Sequence, residues 1–347
     1  MSVRSAFAIQ AEACEALGSP FTASLCRRLG SHLDRSTEVG RLCLDWQGDP
    51  GPSADSIPLR LCGGFHALVL TGRDGQLAKN YPPTRAVAPE WNDLEAALIN
   101  HQDFLLDWMQ SPPQTNEVSR SAVIWPAMMT LASLIDVPLR LMEVGASGGL
   151  NLQMDRYSYR LGPVEAGQKE SRLQLSPEWQ GNAPVSQHVE IASRLACDIN
   201  PLDPSTPQDA LRLRAYCWPD QEARLSRLDA ALAIASQNPV KVEKIDAIEW
   251  LTRELAEPAE GICRVIYSTI AWQYLPQEAR EQGETLILQA ATAQAKPTAP
   301  LAWIRFEADG KTPGASIRLQ LWPHNLDVNL GRADFHGRWI DWHGLSH

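Results

Sequence analysis

Leu139-Arg-Leu-Met-Glu-Val-Gly-Ala-Ser-Gly-Gly-Leu-Asn151 is the stretch on which the reading of this chain turns. An apolar run, Leu139–Val144, ends in Gly145, Gly148 and Gly149, and a helix is expected to open at once. A buried strand that feeds a glycine turn and a helix is the building unit of parallel sheets covered by helices. Such a turn lacks side chains where backbone N–H groups converge, so a ligand can approach the main chain. The helix N-terminus adds partial positive charge suited to a carboxylate or phosphate. The alternative is a tight strand–helix turn that only packs, and three glycines in five residues exceed what such a turn requires.

Downstream, Val240–Ile245, Cys263–Ile270 and Leu301–Phe306 are further short apolar strands separated by helical segments. Arg156–Leu161 and Arg172–Leu175 suggest a hairpin, and Val189–Leu195 a short helix leading into Ala196–Ile199. Asp209–Cys217 and Gln221–Ala235 are expected to be helical. Ser316–Trp322 and Asp327–Trp342 read as antiparallel strands at the end of the sheet. Upstream, the first 135 residues read as helices, including one over Trp91–Met109 and one from Glu117 to Ile135, with Thr115 or Asn116 as its cap. The expected organisation is an all-helical domain over 1–135 and an α/β domain over 136–347, with a seven-stranded, mostly parallel sheet and antiparallel end strands.

At 347 residues the chain is long enough for about two domains and a large core. Acidic residues outnumber basic ones by 41 to 31, for a net charge of −10. That surface repels polyanions, and no Lys/Arg cluster offsets it, so nucleic-acid and membrane-surface partners are not expected. Seven cysteines without CxxC spacing read as buried thiols in a reducing compartment. Eight histidines without HxxxH or HxH spacing offer no metal site. No apolar run has the length of a membrane span, so a cytoplasmic protein with a small-molecule substrate is expected. Oligomeric state is not legible.

The glycine segment fits GxGxxG badly, since Ser147 and Leu150 stand where the second and third glycines belong. It resembles instead the first motif of class I S-adenosylmethionine-dependent methyltransferases, with Ser147 in place of the usual central glycine. That resemblance implies a Rossmann-like fold and S-adenosylmethionine as cofactor. Glu143 would help hold the methionine amino group, and Gly145, Ala146, Ser147, Gly148 and Gly149 would lie along the ligand. Ala196–Asn200 resembles the second strand, with Asp198 on the ribose hydroxyls and Glu165 as the competing candidate. Asp198 comes about fifty residues after the glycines rather than about twenty, an excess attributed to an insertion around Tyr157–Leu175. Val242–Ala247 resembles the third strand, with Asp246 accepting from the adenine amino group. Cys263–Thr269 resembles the fourth, which brings Tyr267 and Ser268 to the reacting end. Taken singly, residues such as Asp198 and Asp246 are more often surface carboxylates or helix caps; it is their order, each at a strand end, that points to a ligand.

Two further readings stand beside this one. Gly145-Ala-Ser-Gly-Gly149 satisfies GxSxG, the elbow of serine hydrolases, with Asp246 or Asp309 and His324, His336 or His343 following in chain order. A non-catalytic protein that senses a nucleotide-like ligand is the other. For methyl transfer, Glu117 or Tyr267 is the candidate base, and Asn116 and Arg120, four residues apart, are the candidates to orient the acceptor. Trp272 follows the fourth strand, where a flat substrate could stack, although tryptophans so placed more often belong to the core.

The chain as a whole resembles a bacterial family of unknown function with a helical N-terminal region and a methyltransferase-like C-terminal region. Pro113–Val118, Gly145–Ser147, Gly149–Asn151, Asp155–Tyr157, Asp198, Asn200–Asp203 and Trp218–Gln221 carry that resemblance. It implies a fold and a cofactor pocket, and no substrate.

Overall fold

The structure is a computed structural model that describes residues 1–52 and 54–345. Helices α1 (Val3–Ala16), α2 (Pro20–His32), α3 (Glu38–Leu44), α4 (Ile57–Leu70), α5 (Gly75–Ala78), α6 (Trp91–Asn100) and α7 (Gln102–Met109) come first. A 3-10 turn, Val118–Arg120, leads into α8 (Ser121–Ala132). Then follow β1 (Leu139–Val144), a 3-10 helix (Leu150–Arg156), β2 (Ser158–Leu161), β3 (Val164–Gly167), β4 (Gln174–Leu175), β5 (Glu178–Gly181) and β6 (Ile191–Asp198). Next come α9 (Pro207–Ala215), α10 (Glu222–Gln237), β7 (Glu243–Lys244), α11 (Ala247–Glu254), β8 (Cys263–Thr269), a 3-10 turn (Trp272–Tyr274) and α12 (Gln277–Gln294). Strands β9 (Leu301–Glu307), β10 (Ala315–Trp322), β11 (Leu326–Ala333) and β12 (Trp339–Trp342) close the chain.

The chain is a mixed α/β protein that divides into two compact units, one of residues 1–115 and 206–229, the other of 116–205 and 230–345. The expected cut at 135 falls elsewhere because α8, buried along nearly its whole length, packs on β9 and β10 and so belongs with the sheet. Residues 206–229 return to the helical unit through side-chain anchors. Asp220 accepts the Phe21 N–H (2.9 Å) and the Ser19 hydroxyl at the start of α2, and Gln221 donates to the Leu17 carbonyl. The Trp218–Gln221 motif is therefore a helix cap supplied from about two hundred residues away.

Within the helical unit, the two glycines of α4 do not split it. Gly63 lies against the Tyr216 ring and Gly64 against Leu105 and Trp108, where side chains would collide. The helix expected over Trp91–Met109 is broken at His101, whose backbone leaves helical geometry.

Among the described residues of the second unit, nine strands form one sheet in the order β5-β12-β11-β10-β9-β8-β1-β6-β7. The run from β7 to β9 is parallel, and β9 to β12 is antiparallel. The sheet thus has two strands more than expected, because β5 joins its far edge beside β12 and the tail contributes three strands. Val189–Leu195 is not a helix; its residues run into β6, whose pairing with β1 overrides local propensity. The expected Tyr157–Leu175 hairpin is a small sheet in which β3 pairs antiparallel with β2 and β4 lies parallel to it. One face of the large sheet packs Met142, Val144, Ile266 and Trp303 against Trp250 and Leu251 of α11 and Ile287 of α12. Burial of this kind contributes about 1.5–3 kcal/mol per large side chain. Strand order reverses between β1 and β8, the point where ligands of open α/β sheets bind. Among the described residues no helix is long and apolar enough to cross a membrane.

Candidate functional site

The turn after β1 is stitched into the protein by its own amides. The N–H groups of Gly145 and Ala146 donate to the Cys197 carbonyl of β6 at 3.0 and 3.1 Å. The Ser147 N–H donates to Asp198 Oδ2 at 2.8 Å, and the Gly149 N–H to the Ala146 carbonyl. Leu150 N–H donates to Asn116 Oδ1 at 2.9 Å. With these donors engaged, the turn is not the open anion cradle that its glycines suggest. Gly145 and Gly149 both hold positive φ, and added Cβ atoms would meet Ala271 Cβ at 2.7 Å and Val242 Cγ2 at 2.9 Å. These two glycines serve close packing between loops. Gly148 is buried within the turn.

Beneath the turn lies a buried polar cluster. Glu143 is 1% exposed, accepts from the Tyr267 hydroxyl at 3.2 Å and lies beside Asn151, which in turn accepts from the Ser121 hydroxyl. Burial pushes the Glu143 carboxyl up to about 8; Asp198 adds to the rise, while Tyr267, Arg120 and Asn151 oppose it. At neutral pH it is mainly protonated and points away from solvent. Tyr267 is pushed well above the ordinary phenol range, by burial first and then by Glu143, so it is a hydrogen-bond donor and not a ready base.

The Asn116–Arg120 segment acts as a brace. Asn116 caps the 3-10 helix after the glycines instead of the helix that follows it in sequence. Glu117, buried, takes the local capping role through the Ser119 N–H. Arg120 donates from Nη1 to the Thr269 carbonyl and from Nε to the Phe335 carbonyl, both at 2.9 Å. Asn116 and Arg120 thus hold main chain rather than facing one ligand side by side.

At the sheet edge, Asp198 is half-buried and accepts one N–H on each oxygen, from Ser147 and Asn200, both at 2.8 Å. Glu165 lies on β3, exposed and beside Arg160, so Asp198 is the carboxylate at the turn. Asp246 is exposed and caps α11 through the N–H groups of Ile248 and Glu249. Ser268 is buried beside Glu307. Trp272 packs edge-on to Trp303 in the core and offers no stacking surface. The other motif residues are stitches too: Asp155 pairs with Arg194, Tyr157 donates to the Leu150 carbonyl, and Leu202 N–H donates to the Ser147 carbonyl.

Two features were not foreseen. Ser147 (φ +52°) and Ile270 (φ +52°) are left-handed non-glycine residues on the loops after β1 and β8. A β-branched residue in that region is strained, and such strain concentrates at functional sites. Glu307 holds the second loop by accepting from the N–H groups of Ala271, Trp272 and Gln273. Backbone strain leaves no mark in composition or periodicity; an acidic residue ending an apolar strand was the one available sign of Glu307.

The Ser147 hydroxyl is buried and makes no hydrogen bond, to histidine or otherwise, among the described residues. No group of three or more His, Cys, Asp or Glu among those residues could hold a metal ion. All seven cysteines are buried and free.

No curated protein and no solved structure matches the chain. A family described as an uncharacterized protein conserved in bacteria (DUF2332) matches residues 4–342. The match spans the braced turn, the sheet and the helical segments alike, and the chain belongs to that bacterial family.

Proposed function

We propose that this protein is an S-adenosylmethionine-dependent methyltransferase of Rossmann-like architecture, acting on a small molecule. The observation that carries the reading is the meeting of the glycine turn, Asp198 and the strained Ile270 loop at one edge of the sheet. The parallel strands, numbered along the chain, lie in the order third, second, first, fourth, fifth. Sheets with that order bind nucleotide-like ligands outside the carboxyl ends of the strands, where the order reverses.

An adenosyl ligand fits part of this residue set. Each Asp198 oxygen accepts one N–H and retains a lone pair for a ribose hydroxyl. Ile199, next to it and 70% exposed, offers an apolar face to a base. Asp246 stays accessible while it caps α11. Glu143 does not fit a direct contact, because it is enclosed and bonded to Tyr267. Its role in this reading is to support the turn from below.

When bound, the cofactor supplies an electrophilic methyl group. The chain's part is then to align the acceptor and exclude water, with no strong base required. Arg120 ties the main chain at Thr269 and Phe335, which fixes the wall beside the turn. Calorimetric titration with S-adenosylmethionine and S-adenosylhomocysteine tests the reading: saturable heat supports it, and none at millimolar ligand overturns it.

A serine-hydrolase reading retains one favourable observation, the left-handed Ser147 within a GxSxG sequence. It lacks a base, since no histidine among the described residues bonds to that hydroxyl.

A further inference from the structure

We propose that the helical unit carries a second ligand site, for a compact oxyanion, formed by Arg212, Tyr216 and Trp108. Helix α9 and its C-terminal cap set Arg212 and Tyr216 against α4 and α7. The Arg212 guanidinium carbon lies 4.5 Å from the centre of the Trp108 ring, and the Trp108 and Tyr216 rings are 5.8 Å apart. Gly63 makes this arrangement possible, because a Cβ there would stand 2.5 Å from the Tyr216 ring.

Three polar atoms meet here: Arg212 Nη1, Tyr216 Oη and Trp108 Nε1. All three are buried, and none has a hydrogen-bond partner among the described residues. Arg212 and Trp108 lie beside the phenol oxygen and oppose the rise that burial imposes on Tyr216, without completing a hydrogen bond to it. Guanidinium and indole N–H groups only donate, and the phenol oxygen is the one atom of the three that can also accept, yet no hydrogen bond reaches it among the described residues. What this cluster lacks is an acceptor for its remaining donors.

It also lacks negative charge. Arg212 is 8% exposed, and among the described residues no ion pair joins it to a carboxylate. Neighbouring Arg60, 6% exposed, pairs with Asp55 at 3.8 Å and gives its Nε and Nη1 to main-chain carbonyls. An unpaired cation is costly where it is buried. A water molecule could accept hydrogen bonds but would leave the charge; a carboxylate or phosphate answers both needs. The three atoms are sealed from solvent, so entry requires movement of the Trp108 or Tyr216 side chain, and association should fall well below the diffusion limit.

The test is thermal unfolding and calorimetry of the full chain with inorganic phosphate and with acetate, each against sodium chloride at equal ionic strength. In the wild type, phosphate or acetate should raise the melting temperature saturably, and chloride should not. Phosphate alone points to a phosphate ester as the ligand, and acetate alone to a carboxylate. Tyr216→Phe and Trp108→Phe should each weaken that binding at least fivefold, and Arg212→Met should abolish it. If Arg212→Met does not fold, the two conservative variants carry the comparison. Equal shifts from all three salts, or undiminished binding in both Phe variants, would overturn the site.

Discussion

The Tyr267 hydroxyl donates to the Glu143 carboxyl at 3.2 Å across the paired strands β1 and β8, with both side chains enclosed. Two neighbouring strands at the point where sheet order reverses are thereby joined by a polar bond within a buried cluster that also holds Asn151 and Ser121. A buried carboxyl answered mainly by neutral donors keeps its proton.

Stability should therefore fall as pH rises. The Glu143 carboxyl is raised from its ordinary 4.5 to about 8. Between those values the folded chain retains a proton that the unfolded chain has released. The loss is at most roughly 1.4 kcal/mol per pH unit from this group. Glu143→Gln should flatten that slope while its amide carbonyl still accepts from Tyr267. Urea unfolding at pH 5.5, 6.5, 7.5 and 8.5 measures it; parallel slopes in the two proteins would exclude Glu143 as the titrating group.

Asp198→Ala should weaken S-adenosylhomocysteine binding at least tenfold. It should also destabilise the chain by about 1–3 kcal/mol, because the amides of Ser147 and Asn200 lose their acceptor. Asp198→Asn, which keeps a carbonyl oxygen, should recover part of both. Calorimetry alongside thermal unfolding separates the effects, and unchanged affinity in a folded Ala variant removes Asp198 from the ligand site.

Gly145→Ala should destabilise through packing and backbone strain rather than through a blocked ligand. Its Cβ would press on Ala271 Cβ at 2.7 Å, and its φ of +73° strains any side chain. A cost of about 1–3 kcal/mol is expected. Ala271→Gly should relieve the contact but not the strain, so the double variant should recover part of the loss. Strict additivity in thermal unfolding would show that the two residues do not touch.

Ser147→Gly should stabilise the chain by up to about 1 kcal/mol, since glycine adopts the left-handed conformation freely. Ser147→Ala should leave S-adenosylhomocysteine affinity within a few-fold. A fluorophosphonate probe should leave the wild type unlabelled. Labelling that disappears in Ser147→Ala would instead establish a nucleophilic serine.

Asp220→Ala should cost about 1–2 kcal/mol, as expected for a lost helix cap. Both its oxygens serve the start of α2, through Ser19 and Phe21. A melting temperature equal to wild type would show that the cap is dispensable.

The class of fold was legible in local pattern. Leu139–Val144, Cys263–Thr269 and Leu301–Glu307 are apolar runs of strand length, and each became a parallel strand because burial on both faces writes itself into composition. The glycine turn was legible for a similar reason, since positive φ at 145 and 149 admits little else. Tertiary structure alone decided what those residues touch. Val189–Leu195 feeds a strand because β1 lies beside it, and 206–229 joins the helical unit because Asp220 meets Ser19 and Phe21. The turn amides are engaged because Cys197, Asp198 and Asn116 arrive from distant segments. The Glu143 carboxyl is raised because the fold buries it, and the Tyr267 hydroxyl only moderates that rise. Periodicity reports which face of an element is buried; it carries no record of which partner, far away in the chain, completes a hydrogen bond or withdraws a carboxyl from water.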